Sequence, residues 1–363
     1  MQKVTIVLPT YNGEKYIRES IDSILSQTYT DWELIIVNDC STDNTPKIIQ
    51  QYSREDKRIR IINNSVNKKL PESLNIGFKY ASGEYLTWTS DDNYYLCNAI
   101  SKMVNFLDEN REEHMVCAKM DVIDQSGRII GQNDDYDNHK NLYRNCVGAC
   151  FLYRKGVIRE VGEYNPEWFL VEDYEYWMRV LFKYKNIAWL PDTLYRYRYH
   201  VNSLTETRKW EIKRQVCRLR KRYIREICTY LNRDIKYLGA IYRNTMTTHP
   251  NEVEIISIIE KEIPMFSIVK RYNTDMDTVI YGAGDYGNRA LKRVGSKALY
   301  YIDSNQSKIG KKMNGLQIKS LDEYIKNGMQ GQLMIAVSDE KVGEIIAKIY
   351  DKGIKTCCFY EDA

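Results

Sequence analysis

The chain has 363 residues, of which 28% are charged and 43% apolar, and its formal net charge is +4. This length is too great for one ordinary core, so two or three domains are expected, and the small net charge disfavours nucleic acid as a partner. Nine cysteines without a C-x-x-C pair, together with only four histidines, disfavour a Cys/His metal site and favour a reducing, cytosolic compartment. The N-terminal apolar run is short and ends at Pro9, and no run reaches the roughly 18 apolar residues of a membrane-spanning helix. We therefore predict neither a signal peptide nor a membrane span.

Strands and helices alternate through the N-terminal part of the sequence. Val4–Leu8 is a run rich in β-branched residues, typical of a buried parallel strand, and the isoleucines of residues 17–25 recur at helical spacing. The same alternation continues with a strand over 33–39, a helix opened by C-S-T-D-N-T-P, a strand at 60–62, a helix over 71–81 and a strand over 84–90. This pattern predicts an α/β domain with a mainly parallel sheet.

Polar residues follow three of these predicted strands. Thr10 and Tyr11 follow the first strand, Asp39 ends the second, and Asp91 and Asp92 follow the fourth. Ligands of such sheets bind beyond the carboxyl ends of the strands, so we expect these residues to converge on one ligand site. Taken alone, each segment is equally compatible with a solvated surface turn. Two adjacent carboxylates also call for a positive partner, because unpaired carboxylates repel each other when they are partly buried.

The pattern loosens after Asn93 and turns more strongly helical towards the middle of the chain. Strands are predicted over 115–123, 128–131 and 146–153, and a helix opens at the acidic pair Glu172 and Asp173. Acids in a first helical turn can serve the helix dipole alone.

A basic segment follows. Residues 208–236 form a predicted helix with eleven basic and three acidic residues, which is either a solvated face or a surface for an anionic membrane or a pyrophosphate-bearing acceptor. Residues 237–275 are predicted to continue as helix and connector.

A second α/β unit begins near Thr278. Gly282, Gly284 and Gly287 stand between a predicted strand and a predicted helix, and a further strand ends at Asp303. This is the G-x-G-x-x-G dinucleotide fingerprint, with its acid, in the expected context. Only about 85 residues remain, too few for a dehydrogenase with its own substrate domain. Nucleotide binding without redox chemistry and a purely structural role both stay open.

Four segments match one known family in order and spacing: V-L-P-T-Y-N-G-E-K-Y, E-L-I-I-V-N-D-C-S-T-D, G-E-Y-L-T-W-T-S-D-D-N and V-E-D-Y-E-Y-W-M-R. They resemble glycosyltransferase family 2 over about residues 1–205. The resemblance implies an inverting, metal-dependent enzyme with the GT-A fold. The full expectation is a GT-A catalytic domain (1–205), a basic helical connector (206–275) and a small Rossmann-like domain (276–363), which resembles modules attached to sugar-modifying enzymes.

The resemblance also implies roles for individual residues. The donor nucleotide is expected to be bound by Pro9, Thr10, Tyr11, Asp39, Lys69 and Asp91, with the ring of Tyr11 against the base and Asp39 accepting its imino N–H. Asp92 and His200 are expected at a Mn²⁺ or Mg²⁺ ion that bridges the donor phosphates. Many relatives have a further acid where this chain has Thr89, so that extra carboxylate ligand is not expected. Arg196 and Arg198 are candidates for diphosphate contact.

The expected catalytic base is Asp173, with Glu172 beside it raising its affinity for protons. The implied reaction transfers a hexosyl or N-acetylhexosaminyl group from a UDP-sugar, in preference to a dTDP-sugar, to a hydroxyl of a glycan, a lipid-linked glycan or a protein such as flagellin. The expected location is cytoplasmic, with peripheral contact at the inner face of the membrane through the basic helix 208–236. Two alternatives are a nucleotide- or NAD-binding sensor or sugar oxidoreductase acting through the Gly282–Gly287 loop, and an inactive scaffold. The presence of all the expected acids argues against an inactive scaffold; they are Asp39, Asp91, Asp92, Glu172 and Asp173.

Overall fold

The computed structural model describes residues 3–249 and 251–360. The chain divides into two compact units, residues 1–219 and residues 220–363, each with its own sheet. The predicted three-part segmentation is finer than this division. Among the described helices, none is both long enough and apolar enough to cross a membrane.

Within the described residues, unit 1 contains a mixed sheet of nine strands. They are β1 (Val4–Thr10), β2 (Trp32–Asn38), β3 (Ile59–Asn63), β4 (Tyr85–Trp88), β5 (Tyr94–Tyr95), β6 (Met115–Ile123), β7 (Ile129–Asn133), β8 (Phe151–Arg154) and β9 (Ala188–Arg198). Their order is β3-β2-β1-β4-β8-β6-β9-β5, with β7 paired to β6. The first four strands in this order are parallel, as predicted, and β8 runs antiparallel to both of its neighbours.

The helices of unit 1 cover its sheet. They are α1 (Ile17–Leu25), α2 (Thr45–Glu55), α3 (Lys69–Lys79), α4 (Ala99–Glu109), α5 (Asn138–Tyr143), α6 (Lys155–Val161), α7 (Glu172–Tyr184), α8 (Leu204–Thr207) and α9 (Lys209–Tyr230), and the unit boundary falls within α9. Every residue of β1 and β2 is buried, as their continuous apolar runs predict. Ile17, Ile21 and Ile24 of α1 are fully buried in the same core.

Three predicted elements differ from the structure. The strand predicted over 84–90 ends at Trp88, so Asp91 and Asp92 lie in a turn and not on a strand. The strand predicted over 146–153 forms only from Phe151, because Gly148 takes a φ of +70° in the preceding loop. The helix predicted over 208–236 ends at Tyr230, where the next residues, Asn232 and Arg233, have positive φ values and reverse the chain into α10.

Unit 2 contains a second sheet, of seven strands within the described residues. The strands are β10 (Val269–Lys270), β11 (Thr278–Tyr281), β12 (Ala298–Ile302), β13 (Lys312–Met313), β14 (Leu316–Lys319), β15 (Gln332–Ile335) and β16 (Cys357–Phe359), and the helices are α10 (Ile235–Thr248), α11 (Val253–Glu262), α12 (Asp285–Val294), α13 (Leu321–Lys326) and α14 (Asp339–Asp351). The strand order is β10-β16-β15-β11-β12-β14-β13, and every pairing is parallel except β13 with β14. Unit 2 thus has the mainly parallel α/β sheet that the alternation of strands and helices after Thr278 predicts.

Two glycines join α10 to the rest of unit 2. A Cβ on Gly239 would lie 2.7 Å from the nitrogen of Gly343, and a Cβ on Gly343 would lie 1.8 Å from the carbonyl oxygen of Ile235. Helices α10 and α14 therefore approach at backbone distance. This contact explains why the helix that the sequence presents as a connector belongs to the second compact unit.

Candidate active site

The carboxyl ends of β1, β2 and β4 bring three polar segments together at one edge of the unit 1 sheet. The backbone N–H of Asp39 donates to the carbonyl oxygen of Thr10 (2.8 Å), which joins the loops that follow β1 and β2. The side chain of Asn12 accepts from the backbone N–H of Thr42 (2.8 Å), and Asn12 itself has a φ of +57°. The predicted convergence of the first two strand ends is thus present and is held by hydrogen bonds.

Asp39 is almost fully buried, at 4% exposure, and its carboxylate is held by three N–H donors. The donors are the side-chain amide of Asn64 and the backbone N–H groups of Lys68 and Lys69, each at 2.8 Å. Lys69 has a φ of +67° at the start of α3, and this conformation helps to aim its backbone N–H at the carboxylate. The ammonium group of Lys69 lies over the ring of Phe169 instead, 5.0 Å from its centroid.

Asp91 is paired with the end of β1. The hydroxyl of Thr10 donates to Asp91 Oδ2, and a Cβ added at Gly13 would lie 2.1 Å from the same oxygen. Burial raises the pKa of Asp91 well above its usual range, the neighbouring charge of Asp92 raises it further, and the bond from Thr10 lowers it. Gly13 thus belongs to the site, although it is not among the residues predicted from sequence. Its signal was available, since it directly follows the T-Y-N segment at the strand end.

Asp92 faces a different set of partners. Its Oδ1 accepts from the hydroxyl of Ser90 (2.7 Å), and its Oδ2 lies 3.0 Å from Nε2 of His200. The two side chains retain 22% and 14% exposure respectively. Asp91 and Asp92 thus point to separate partners, in agreement with the separate roles expected of them, and both lie in the turn that follows β4.

Arg198 fixes the turn that carries both acids. It is 3% exposed, its Nε donates to the carbonyl oxygen of Asp92 (3.0 Å), and its guanidinium pairs with Glu19. Its backbone N–H donates to the side chain of Asn93 (2.7 Å). Arg196 pairs with Asp121. The two arginines that the sequence offered for diphosphate contact are therefore engaged within the protein, and Arg198 positions the acidic turn.

Within the described residues, no group of three or more His, Cys, Asp or Glu side chains is arranged to hold a metal ion. The pair Asp92–His200 nevertheless fits a hard divalent cation whose other ligands come from elsewhere, since Mg²⁺ characteristically binds one or two carboxylates and takes its remaining oxygens from substrate phosphates and water. Thr89 does not add a ligand, because its hydroxyl lies 2.6 Å from the hydroxyl of Tyr195 inside the core.

Glu172 and Asp173 open α7, as predicted, but their environments differ. Glu172 is buried, and among the described residues its Oε2 has no hydrogen-bond partner. Asp173 is half-buried and accepts from the side-chain amide of Asn145 (2.8 Å). Of these two carboxylates, only Asp173 is partly exposed.

The pKa values of this pair follow from burial. Burial raises the pKa of Glu172 to about 8, and the charge of Asp173 contributes to that rise. Burial also raises the pKa of Asp173, against the hydrogen bonds from Tyr174 and Asn145 that lower it. We expected the charge of Glu172 to raise the proton affinity of Asp173. Burial is the largest cause at both carboxyls, and the mutual repulsion of their charges favours a single negative charge on the pair.

One tyrosine links the two acidic groups. Burial raises the pKa of Tyr197, and the charges of Asp92 and Asp173 raise it further. Both carboxylates therefore lie within electrostatic range of Tyr197. The remaining predicted residues of the site flank it: Pro9 is buried within β1, and Tyr11 is 51% exposed just beyond the strand.

A family model described as "Glycosyl transferase family 2" matches residues 5–162. An uncharacterized glycosyltransferase from Haemophilus influenzae is 30% identical over 253 residues, which cover 66% of this chain and 78% of the relative. The chain belongs to glycosyltransferase family 2. This glycosyltransferase also matches WfgD from Escherichia coli, named a UDP-Glc:alpha-D-GlcNAc-diphosphoundecaprenol beta-1,3-glucosyltransferase, with 29% identity over 58% of the chain and 83% of the relative.

A solved structure shares the fold. Residues 1–349 of S. aureus TarS, solved in complex with UDP, superpose with a TM-score of 0.52 and 18% identity, covering 97% of this glycosyltransferase and 92% of the TarS fragment. At this identity the likeness concerns the fold alone. Together with the family assignment, it confirms the expected GT-A fold and the expected enzyme class.

Proposed function

We propose that this glycosyltransferase moves a sugar from a UDP-sugar to a hydroxyl group of a cell-surface glycan precursor, with inversion at the anomeric carbon and with a divalent cation. The observation that carries the proposal is the meeting of buried Asp39, the Thr10–Asp91 pair and the Asp92–His200 pair at one edge of the sheet. The name of WfgD, a transferase that uses UDP-Glc and a diphosphoundecaprenol-linked acceptor, supports the donor and acceptor classes.

The base of the donor is assigned to Asp39 and Tyr11. A carboxylate has about four lone-pair positions. Three N–H groups occupy the carboxylate of Asp39, which leaves room for one further donor such as the imino N–H of uracil. The half-exposed ring of Tyr11 offers a face for stacking on the base. The ammonium of Lys69 does not contribute to the base contact, because its backbone N–H is the group that reaches Asp39.

Asp92 and His200 would hold the cation, Mn²⁺ or Mg²⁺, which when bound offsets the negative charge on the leaving diphosphate. Asp91, oriented by the hydroxyl of Thr10, would face the ribose and the donor sugar. Arg198 acts on this group indirectly by fixing the carbonyl of Asp92.

Asp173 is the proposed general base. Burial raises its pKa, which makes it a stronger proton acceptor, and the amide of Asn145 holds one of its oxygens. It would take the proton of the acceptor hydroxyl as that oxygen attacks the anomeric carbon from the side opposite the diphosphate. A single in-line attack without a covalent intermediate inverts the anomeric centre. Glu172 is buried, so Asp173 is the acid of the pair that we assign to the acceptor hydroxyl.

An exposed apolar and basic surface accompanies the proposed site in unit 1. Val201, Leu204 and Trp210 are 65%, 41% and 82% exposed, and the ammonium of Lys213 lies 4.8 Å from the Trp210 ring centroid. A large exposed Trp beside basic residues suits the interface of an anionic membrane. We propose that this surface brings the enzyme to a lipid-linked acceptor at the inner face of the membrane, in preference to a protein hydroxyl.

Release of UDP from a panel of UDP-sugars, with Mn²⁺ or Mg²⁺ present, tests the proposal. Asp92→Asn and Asp173→Asn should each lower the rate by at least about 100-fold, a loss typical of essential charge-stabilising and acid–base groups. Asp275→Asn, at a 92% exposed acid, is the matched control and should leave the rate unchanged. Full activity in both site variants, together with loss of activity in Gly284→Val, would contradict the proposal and favour chemistry in unit 2.

A further inference from the structure

Unit 2 contains a cavity of about 550 Å³ at the carboxyl edge of its sheet. Three strand-end segments line it: the glycine-rich loop after β11, residues 303–305 after β12, and residues 336–338 after β15. Strands β12 and β15 lie on opposite sides of β11, so the loops that follow them diverge and leave a crevice, which is where open α/β sheets bind ligands. The family model ends at residue 162, so this cavity lies outside the matched transferase region.

The surroundings require glycine at two of the three glycine positions of the loop, and the third position is open. Gly282 has a φ of +120°, and a Cβ there would lie 2.3 Å from the carbonyl oxygen of Ala336. A Cβ on Gly287 would lie 1.9 Å from the carbonyl oxygen of Gly282, so this glycine permits α12 to pack on the sheet. Gly284 has an extended backbone, and a Cβ there would meet nothing within 4 Å. Neither packing nor backbone conformation requires glycine at position 284. A side chain at this position would extend into the open space of the cavity.

Two helices begin at the cavity. Gly284 precedes α12, which has 10 residues, and Ser338 precedes α14, which has 13 residues. Neither of these residues makes a side-chain capping hydrogen bond. The first N–H groups of both helices are therefore not capped from these positions, and both positive dipole ends lie at the cavity, as suits a phosphate group.

The acid of the fingerprint does not have its usual role. Asp303 Oδ2 accepts from the backbone N–H of Ala283 (2.9 Å) and lies 3.3 Å from Nζ of Lys308, while Oδ1 accepts from the backbone N–H of Asn305 (2.8 Å). Asp303, which the sequence offers as the acid of the fingerprint, therefore shapes the glycine-rich loop through these contacts. Lys308 and Lys341 bring positive charge to the cavity, alongside the acids Asp285 and Glu344.

We propose that this cavity binds a nucleoside diphosphate group, with the diphosphate against the backbone at Gly284 and Ser338. Tyr286 and Ile345 offer apolar lining for the nucleoside. The site is a binding site separate from the transferase site, and it needs no redox chemistry.

Hydrogen–deuterium exchange on the full chain tests the proposal, because it reports each unit separately. ADP, UDP, NAD⁺ and inorganic pyrophosphate are the probes. When the nucleotide concentration is ten times the Kd, about one molecule in eleven is unbound. If only the unbound protein exchanges, hydrogen exchange at residues 284–288 should slow by about tenfold. Which of ADP, UDP and NAD⁺ protects identifies the nucleoside. Protection of residues 10–14 and 39–44 by UDP reports the transferase site independently.

Gly284→Asn and Gly284→Asp are the decisive variants. Both residues are favourable helix N-caps and fit the open space, so exchange of β11 and β15 without ligand should be unchanged. Both should abolish the protection. Lys341→Gln should weaken binding several-fold, and Lys355→Gln, at an exposed lysine outside the cavity lining, should not. The proposal is overturned if no nucleotide protects residues 284–288, if Gly284→Asn retains full protection, or if pyrophosphate protects as well as every nucleotide.

Discussion

Replacing Glu172 by Gln removes a carboxyl group that the fold buries at the start of α7. In the folded chain its pKa is raised from 4.5 to about 8, first by burial and then by the charge of Asp173. The unfolded chain therefore releases this proton at lower pH than the folded chain does. The free energy of unfolding therefore falls as the pH rises from the pKa of Glu172 in the unfolded chain towards its pKa in the folded chain. The fall is complete above about pH 8.

The size of the effect follows from the shift. Each pKa unit corresponds to about 1.4 kcal/mol, so between about pH 5.5 and pH 8.5 the wild-type chain should lose about 3 kcal/mol that the glutamine variant does not. In a unit of this size, 1 kcal/mol corresponds to about 2–4 °C in Tm. The difference in Tm, variant minus wild type, should therefore increase by about 6–12 °C between about pH 5.5 and pH 8.5.

Tryptophan fluorescence is the suitable assay, because all six tryptophans lie within residues 1–219 and report unit 1 alone. Glu167→Gln, at an exposed carboxylate just before α7, is the matched control and should show no such trend. A difference between Glu172→Gln and wild type that stays constant with pH would refute the argument from burial.

Three further substitutions test the contacts that organise the two sites. Gly13→Ala should displace Asp91, whose Oδ2 would lie 2.1 Å from the new Cβ, and should lower the rate of UDP release at least about tenfold. The control Gly156→Ala, whose Cβ would meet nothing within 4 Å, should leave that rate unchanged. Equal activity of the two variants would contradict the role of Gly13. Arg198→Gln should lower the unfolding free energy by about 3 kcal/mol in urea, because it removes a buried charge and its carbonyl contacts; a loss below about 1 kcal/mol would show that the turn does not depend on it. Gly287→Ala should destabilise unit 2 by about 1–3 kcal/mol, because its Cβ would lie 1.9 Å from the carbonyl oxygen of Gly282. Hydrogen exchange in β11 should become faster, while the melting curve from tryptophan fluorescence stays unchanged. Unaltered exchange in β11 would contradict the close packing at Gly282.

The parallel half of the unit 1 sheet and the meeting of its strand ends were predictable from sequence. Continuous apolar runs identify β1 and β2, and the carboxyl-end rule then selects Thr10, Asp39 and Asp91 without any knowledge of contacts. The glycine-rich loop likewise identifies the junction between β11 and α12 in unit 2. Both inferences rest on local pattern, which the chain carries along its length.

The parts that the sequence did not reveal depend on distant contacts. Arg198 meets Asp92 across 106 positions of the chain, and no local pattern distinguishes it from Arg196. The sequence places Glu172 and Asp173 side by side, but only the fold shows that the first is buried and the second half-buried. Asp303 accepts from the backbone N–H of Ala283, 20 positions earlier, and this contact with the glycine-rich loop is visible only in the folded unit.

The most direct test of the central claim is the thermal stability of unit 1 with UDP, with Mn²⁺ and with both, followed by tryptophan fluorescence. We predict that both together raise the Tm more than the two separate shifts combined, because Asp92 and His200 would share the cation with the diphosphate. Asp92→Asn should remove this additional shift, and Asp39→Asn should weaken the response to UDP. A chain indifferent to UDP with and without the metal, or an Asp92→Asn variant that responds as wild type does, would contradict the account.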